Sequence, residues 1–150
     1  MPGECVRVMV RCRPMNRKEM ERNCKVCTDL NEKRRSAGIK DPKDSSNVRD
    51  FTYDAVFPSE SSQQHIYEVS TFPILEAVFT GFNGTVFAYG QTGCGKTHTM
   101  MGPVNDDKEK GIIPRTFSHM LSVIEATKSR MNYLIRISFI EIYNEMVHDL

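Results

Sequence analysis

The chain has 150 residues, of which 39% are hydrophobic and 26% charged, and its formal net charge is +1. This length and composition are typical of a single globular domain and argue against a disordered chain. No apolar run is long enough to span a bilayer, and residues 1–13 lack the apolar core of a secretory signal. We therefore expect an intracellular protein without membrane insertion.

The cysteines and the charges argue against two further kinds of site. The five cysteines form no regular framework, which is typical of a reducing compartment. Cys24 and Cys27 form a lone CxxC without a second ligand pair, so we expect free thiols rather than a zinc site. Residues 7–40 hold eleven Lys or Arg against four acidic residues. Because no nucleic-acid-binding motif accompanies this excess, we interpret it as a solvated face and expect no nucleic acid partner.

Two stretches near the N-terminus alternate apolar and polar residues with the period of a strand. Residues 5–12 form the first stretch, which ends at Pro14, and residues 50–57 form the second, which ends at Pro58. Between them, residues 23–50 contain only short β-like pieces among turn residues. This segment is predicted to form loops or a small hairpin.

A helix is predicted after the second strand. Ser61 or Ser62 can cap its N-terminus, Pro73 should kink it, and Gly81 supplies a left-handed stop. Its buried face follows helical spacing and consists of Ile66, Tyr67, Ser70, Ile74, Ala77 and Val78.

A phosphate-binding pattern, Gly90-x-x-x-x-Gly95-Lys96-Thr97, follows this helix. The apolar run 85–89 before it predicts a strand, and residues 96–101 after it predict a helix, which is the context that such a loop requires. Backbone N–H groups of the loop, together with the positive end of the helix dipole, would bind phosphate oxygens.

The chemistry of the loop assigns a role to each of its residues. Lys96 would lie against the β- and γ-phosphates of a nucleotide and the Thr97 hydroxyl on Mg²⁺, and these two are the candidate catalytic residues. The Cys94 side chain should matter little. The remaining cofactor-binding positions of the loop are Gly90, Gln91, Thr92, Gly93, Cys94 and Gly95.

The second half of the chain continues the alternation of helices and strands. Gly102 and Pro103 should end the helix unusually early, and a charged loop at 105–110 then leads to a helix with Pro114 in its first turn. The apolar run 133–143 predicts an interior strand. The fold class expected is α/β, a three-layer nucleoside triphosphatase with a central mixed, mainly parallel sheet.

Five segments resemble, in order and spacing, the kinesin motor domain. The resemblance covers nearly the whole chain, and the extension of the phosphate loop through Ala88-Tyr-Gly-Gln-Thr and the Glu-Ile-Tyr-Asn-Glu run are specific to that family. Within it, Arg-Cys-Arg-Pro and Gly-Phe-Asn-Gly-Thr are most similar to the intraflagellar-transport branch. The five segments are residues 11–14, 51–57, 81–100, 111–114 and 138–145.

The resemblance implies residues for the base as well as for the phosphates. Arg11, Arg13 and Pro14 would approach the adenine and ribose of ATP, and His98 would pack near the base. Without the resemblance, the favoured interpretation is that Arg11 is a charge at a strand edge and His98 a helix histidine with its hydrogen bonds satisfied. Glu141 could hold Mg²⁺ at the end of a strand, but the resemblance makes its segment structural, so it is not assigned to the site.

The resemblance also implies what these 150 residues lack. Two switch motifs of the family, Asn-x-x-Ser-Ser-Arg and Asp-Leu-Ala-Gly, have no counterpart here, and the main microtubule-binding segments and the neck linker follow them. We therefore interpret residues 1–150 as the N-terminal part of a motor domain, incomplete at its C-terminus. This part should bind Mg·ATP. By itself it should fold poorly and hydrolyse ATP poorly.

Three functions remain open from the sequence. The first is the ATP-binding part of a microtubule motor. The motor would be an ATPase of the cytoplasm and cytoskeleton, or of a cilium or flagellum. The longer parent protein would be oligomeric and contain a coiled coil. The second is a truncated module that binds nucleotide or a partner without turnover. The third is another ATPase or a nucleotide kinase, which would need a substrate pocket that the sequence does not reveal.

Overall fold

The computed structural model describes residues 6–41, 44, 47–103 and 105–150. The chain divides into two compact units, Met1–Thr116 and Phe117–Leu150. Its elements in order are β1 (Met9–Arg11), α1 (Arg17–Glu21), β2 (Thr28–Asn31), β3 (Ser36–Lys40), β4 (Val48–Thr52), β5 (Ala55–Phe57), α2 (Gln63–Ser70), α3 (Phe72–Phe79), α4 (Lys96–Met100), α5 (Ile112–Thr127), β6 (Ile140–Tyr143) and β7 (Met146–Asp149).

The first unit is built on a parallel pair of strands, β1 and β5. Their register sets Met9 opposite Ala55 and Arg11 opposite Phe57. The pairing continues for one residue, because the Cys12 N–H donates to the Phe57 carbonyl at 2.9 Å. The strand predicted at 5–12 is thus confirmed in its second half, and Cys5 lies outside the described residues.

A small antiparallel sheet, ordered β2-β3-β4, occupies the segment predicted to hold loops or a hairpin. The strand predicted at 50–57 is instead two strands in two different sheets. The reason is that neighbouring amides bond in different directions: Tyr53 N–H donates to the Arg35 carbonyl and Asp54 N–H to the Val8 carbonyl, both at 2.9 Å. The chain therefore passes from one sheet to the other at these two residues.

The first helix, α1, was not predicted, because residues 16–21 are almost wholly polar. The local signal is a capping box. The Asn16 side chain accepts from the Glu19 N–H at 2.9 Å, and the Glu19 carboxylate accepts from the Asn16 N–H at 2.8 Å.

The long predicted helix forms as two helices, α2 and α3. Ser62 caps α2 by accepting the His65 N–H at 3.1 Å. The kink expected at Pro73 is a break at Thr71, and α3 ends at Phe79, just before Gly81, as predicted. The Phe57 ring of β5 packs edge-on against His65 of α2, with ring centroids 5.8 Å apart. The buried apolar side chains of the described residues are Val56, Phe57, Ile66, Tyr67, Leu75 and Ile112.

Two predicted strands are wrong in whole or in part. The run 85–89 is not a strand, and residues 133–139 are not either. A strand exists only through hydrogen bonds to a neighbour, and neither run has a partner strand among the described residues. The mixture of helices and strands is confirmed. The described residues form one parallel pair, a three-stranded antiparallel sheet and a two-stranded hairpin, and the three-layer, mainly parallel sheet stays a prediction.

The second unit contains a β-hairpin that the sequence analysis did not separate from the run 133–143. β6 pairs antiparallel with β7, with Ile142 opposite Val147. Asn144 and Glu145, both with positive φ (49° and 62°), form the two-residue turn, as the favoured tight hairpin turn requires. In the part of the chain that the structure describes, no helix is long and apolar enough to cross a membrane.

Candidate nucleotide-binding site

The predicted phosphate loop, residues 90–97, runs into the N-terminus of α4. Gly95 is the N-cap of that helix, with a φ of 101° in the left-handed region. At Gly90, where φ is 152°, a Cβ would lie 2.6 Å from the Cys94 Sγ. The path of the loop therefore requires glycine at both positions.

The loop presents backbone donors that the described part of the chain does not use. Gly95 offers no side-chain acceptor to the helix that it caps. Among the described residues, the N–H groups of Gly95, Lys96 and Thr97 have no hydrogen-bond acceptor. Unused donors at a turn form a concave site for an anion. The role of these residues in binding a phosphate stays a prediction.

Lys96 lies against the loop itself. Its Nζ donates to the carbonyls of Gly90 at 2.8 Å and Gln91 at 2.9 Å. The ammonium is therefore held beside the loop backbone, and bound phosphate oxygens would compete with these two carbonyls for its protons. Thr92, Gly93 and the Thr97 side chain are exposed, and Cys94 is half-buried.

Arg13 connects the loop to α1. Its Nε donates to the Gly93 carbonyl at 2.9 Å, and its Nη1 and Nη2 donate to the two Glu19 oxygens at 2.8 and 2.5 Å. This ion pair and the N–H of Asn16 hold the pKa of Glu19 at about 2. Arg13 thus contacts the phosphate loop at the Gly93 carbonyl. The role of Glu19 was not predicted from the sequence, although its capping-box spacing from Asn16 was a usable signal.

The other residues proposed for the base lie nearby but are not joined to each other. Arg11 donates through Nη1 to Thr99 Oγ1 of α4 at 2.8 Å. His98 and Pro14 are exposed, and the His98 Nε2 lies 3.8 Å from Glu109 Oε2. Among the described residues, no hydrogen bond or ion pair joins Pro14 to His98.

The helix that follows the loop ends early, as predicted. Gly102 turns the chain with a φ of 68°, and a Cβ there would lie 2.1 Å from the Glu109 carbonyl oxygen. The Gly111 N–H donates to the Met101 carbonyl at 2.9 Å. The loop between α4 and α5 therefore begins and ends close together, at Gly102 and Gly111.

The residues present fit a magnesium ion that is held mainly by the phosphate oxygens of a bound nucleotide. Among the described residues, no group of three or more His, Cys, Asp or Glu side chains could form a metal site. The exposed Thr97 hydroxyl is a hard oxygen donor, and Mg²⁺ is commonly held by few protein oxygens together with phosphate oxygens.

The described cysteines have free thiols, as expected. They are Cys12, Cys24, Cys27 and Cys94.

Replacing Glu19 by glutamine should lower thermal stability at neutral pH. Glutamine preserves the capping box but loses the charge that pairs with Arg13. Since the folded state lowers the Glu19 pKa from 4.5 to about 2, the stabilisation is present above about pH 4.5 and is lost as the pH falls towards 2. The difference in unfolding midpoint between the wild type and Glu19→Gln should therefore shrink over that range.

The matched control for this prediction is Glu21→Gln on the same helix. Glu21 pairs with Arg17, whose side chain is 90% exposed, and such a surface pair contributes little. An equal change in both variants would show that Glu19 acts as an ordinary surface charge.

Comparisons with known proteins give a consistent result. The family model described as the kinesin motor domain matches residues 11–150. Kinesin-like protein klp-20 of Caenorhabditis elegans is 41% identical over 148 residues, covering 99% of this chain and 23% of that protein. Kinesin-like protein KIF3C of Bos taurus is 38% identical over 150 residues, covering 99% of the chain and 19% of that protein. The chain thus spans about a fifth of the length of these relatives.

Proposed function

Because the chain belongs to the kinesin motor-domain family, we propose that it is the ATP-binding part of a microtubule-based motor. In the complete domain, ATP hydrolysis is coupled to movement along microtubules. Loss of the γ-phosphate relaxes the switch segments and changes the grip on tubulin. The parent protein is an ATPase of the cytoskeleton.

The observation that carries this proposal is the set of unused donors at the phosphate loop. The N–H groups of Gly95, Lys96 and Thr97 have no acceptor among the described residues, and the Lys96 ammonium lies against the same loop. A triphosphate supplies acceptors for all of them. A nucleotide therefore satisfies groups that the folded chain leaves open.

Each predicted site residue has a role in this proposal. Lys96 neutralises charge on the β- and γ-phosphates, and Thr97 provides the protein ligand for Mg²⁺, which polarises the phosphoryl group when bound. Gly90, Gln91, Thr92, Gly93, Cys94 and Gly95 form the cradle. The residues on the side of the base and ribose are Arg11, Arg13, Pro14 and His98.

The partners and location follow from the family. We infer that the parent binds microtubules mainly through segments other than these 150 residues, that it oligomerises through a coiled coil, and that it acts in the cytoplasm. The Arg-Cys-Arg-Pro and Gly-Phe-Asn-Gly-Thr motifs favour the intraflagellar-transport branch, and with it a cilium or flagellum.

A second function is a nucleotide-binding module without turnover. It is favoured by the fact that residues 1–150 contain the phosphate loop but neither of the family's two switch motifs. Turnover requires a positioned water as well as a bound phosphate. ATP turnover measured with and without microtubules, on this chain and on the intact protein that contains it, separates the two. Microtubule-stimulated phosphate release supports the motor, and nucleotide binding without release supports the module.

Replacing Thr97 by alanine should make ATP affinity nearly independent of magnesium. The exposed hydroxyl is the proposed protein ligand of the ion, so its removal uncouples the metal from the loop. Titration calorimetry with ATP, in the presence of Mg²⁺ or of a chelator, measures this dependence. Thr97→Ser keeps the hydroxyl and should behave as wild type; a magnesium dependence unchanged in Thr97→Ala would remove Thr97 from the metal site.

A further inference from the structure

A buried glutamine, Gln63, lies in the first turn of α2, close to the phosphate-loop helix. It is only 2% exposed. A buried amide is costly unless its donors and acceptor are satisfied, and the amide of Gln63 has three hydrogen bonds. The sequence pattern assigned it no role, because polar residues in a first helical turn are usually exposed.

Two of the three bonds tie the end of the phosphate-loop helix to the loop that follows it. The Gln63 Nε2 donates to the His98 carbonyl at 2.7 Å and to the Glu109 carbonyl at 3.0 Å. The His98 carbonyl lacks its usual helical partner, because the Gly102 N–H donates to the Thr97 carbonyl instead, at 3.2 Å. Gln63 therefore satisfies a carbonyl that the early end of α4 leaves open.

The third bond orients Arg11. The Gln63 Oε1 accepts from Arg11 Nη1 at 2.9 Å. The same Nη1 donates to Thr99 Oγ1 at 2.8 Å, and the Thr99 hydroxyl donates in turn to the Gly95 carbonyl at 3.1 Å. Both protons of Nη1 are thus used by one residue of α2 and one of α4.

These bonds determine which edge of the guanidinium remains available. Among the described residues, the Arg11 Nε and Nη2 have no hydrogen-bond partner. Arg11 ends β1, which pairs parallel with β5. The carboxyl ends of parallel strands are where α/β folds bind ligands. Burial lowers the pKa of Arg11 and the charge of Glu109 opposes that effect, but the group remains charged.

We propose that Gln63 is a positioning residue of the nucleotide site: its amide oxygen, together with Thr99 Oγ1, fixes Arg11 so that the open edge of the guanidinium faces the ribose and base. This inference rests on the nucleotide site proposed above. The two N–H groups of the same amide have a separate task, which is to hold the end of α4. A positioning role and a purely structural role can therefore be separated by substitution.

Two substitutions divide the functions of the amide. Gln63→Met keeps the approximate shape but removes the acceptor for Arg11 and both donors. Gln63→Glu keeps an acceptor for Arg11, but its oxygens repel the carbonyls of His98 and Glu109. Both variants should lower the unfolding midpoint. Only Gln63→Met should release Arg11.

The experiment compares two probes, Mg·ATP and inorganic tripolyphosphate, by titration calorimetry on the intact protein that contains this chain. We expect Gln63→Met to lower ATP affinity about tenfold, since a bond to a charged group is lost. Tripolyphosphate, which has no ribose or base, should bind within about twofold of wild type on the same reasoning. Gln63→Glu should keep the wild-type ratio of the two affinities. The control Gln64→Met alters the neighbouring exposed glutamine and should leave both affinities unchanged.

A second pair of variants tests the same bond from α4, should Gln63→Met fail to fold. Thr99→Val removes the other acceptor of Arg11 Nη1 and should weaken ATP more than tripolyphosphate, whereas Thr99→Ser keeps the hydroxyl and should restore the ratio. Equal loss for both probes, or unchanged affinities, in the valine or methionine variant would overturn the positioning role. Lys96→Ala separates this from failure of the site itself: if that variant still binds ATP normally, the nucleotide assignment is wrong.

Discussion

Replacing Lys96 by alanine should abolish tight binding of Mg·ATP. The substitution removes the side-chain cation that lies against the phosphate loop, while the loop amides remain. Hydrogen bonds to charged groups contribute about 1.5 to 3 kcal/mol each, so losing two of them should weaken binding by at least about a hundredfold. Titration calorimetry with Mg·ATP and tripolyphosphate measures the loss, which should be similar for both, because both are bound through their phosphates.

Two control variants make this result specific. Lys108→Ala removes an exposed lysine from the segment between α4 and α5 and should leave affinity unchanged. Lys96→Arg keeps the charge but changes the donor geometry, so it should recover only part of the binding. Wild-type affinity in Lys96→Ala would refute the phosphate assignment and with it the proposed function.

Residues 1–150 expressed alone should associate and turn over ATP poorly. In the second unit, Leu134 is 78% exposed, Ile142 74% and Val147 67%, and in the first unit Tyr89 is 94% exposed. Burying one aliphatic side chain of this size stabilises by roughly 1.5 to 3 kcal/mol, so a few uncovered ones rival the stability of a domain. A two-stranded hairpin is also marginal by itself. Size-exclusion chromatography, thermal unfolding and single-turnover hydrolysis test the expectation.

The hairpin offers a matched pair of variants for this test. Ile142 and Val147 lie opposite each other on one face, and Glu141 and His148 form the adjacent cross-strand pair. The double variant Ile142→Thr, Val147→Thr should reduce association of the chain. The double variant Glu141→Thr, His148→Thr should not. If the unmodified 150-residue chain is a soluble monomer with a sharp transition and ordinary ATP turnover, our interpretation of the fold and mechanism is wrong.

Features with a local cause could be predicted from the sequence. The cap at Ser62, the interruption near Pro73 and the early end of α4 near Gly102 each depend on a few neighbouring residues. The phosphate loop belongs to the same class, since its glycines determine its path within a few residues.

Features that depend on distant partners could not be predicted in the same way. The alternation at 50–57 is consistent with one strand, and only the bonds from Tyr53 to Arg35 and from Asp54 to Val8 divide it. Gln63 likewise gains its role from three residues that are 35 to 52 positions away in sequence. The spacing of apolar residues shows which face of a helix or strand is buried, but it does not identify the residues that pack against that face.

The closed base of the loop at 102–111 has a consequence for changes in its length. The Gly111 N–H donates to the Met101 carbonyl, and Arg115 donates to the carbonyls of Lys108 and Lys110. Asp106 also accepts the Lys108 N–H through its side chain at 2.9 Å and the Glu109 N–H through its carbonyl at 3.2 Å. The part of the loop directly before Asp106 is therefore the better place for added residues, and doubling the length of a flexible loop costs only about 0.6 kcal/mol. Extra residues directly before Asp106 should be accommodated without moving α4. A fluorescent label inserted there would be tethered close to the C-terminal end of α4 and should leave the phosphate loop undisturbed.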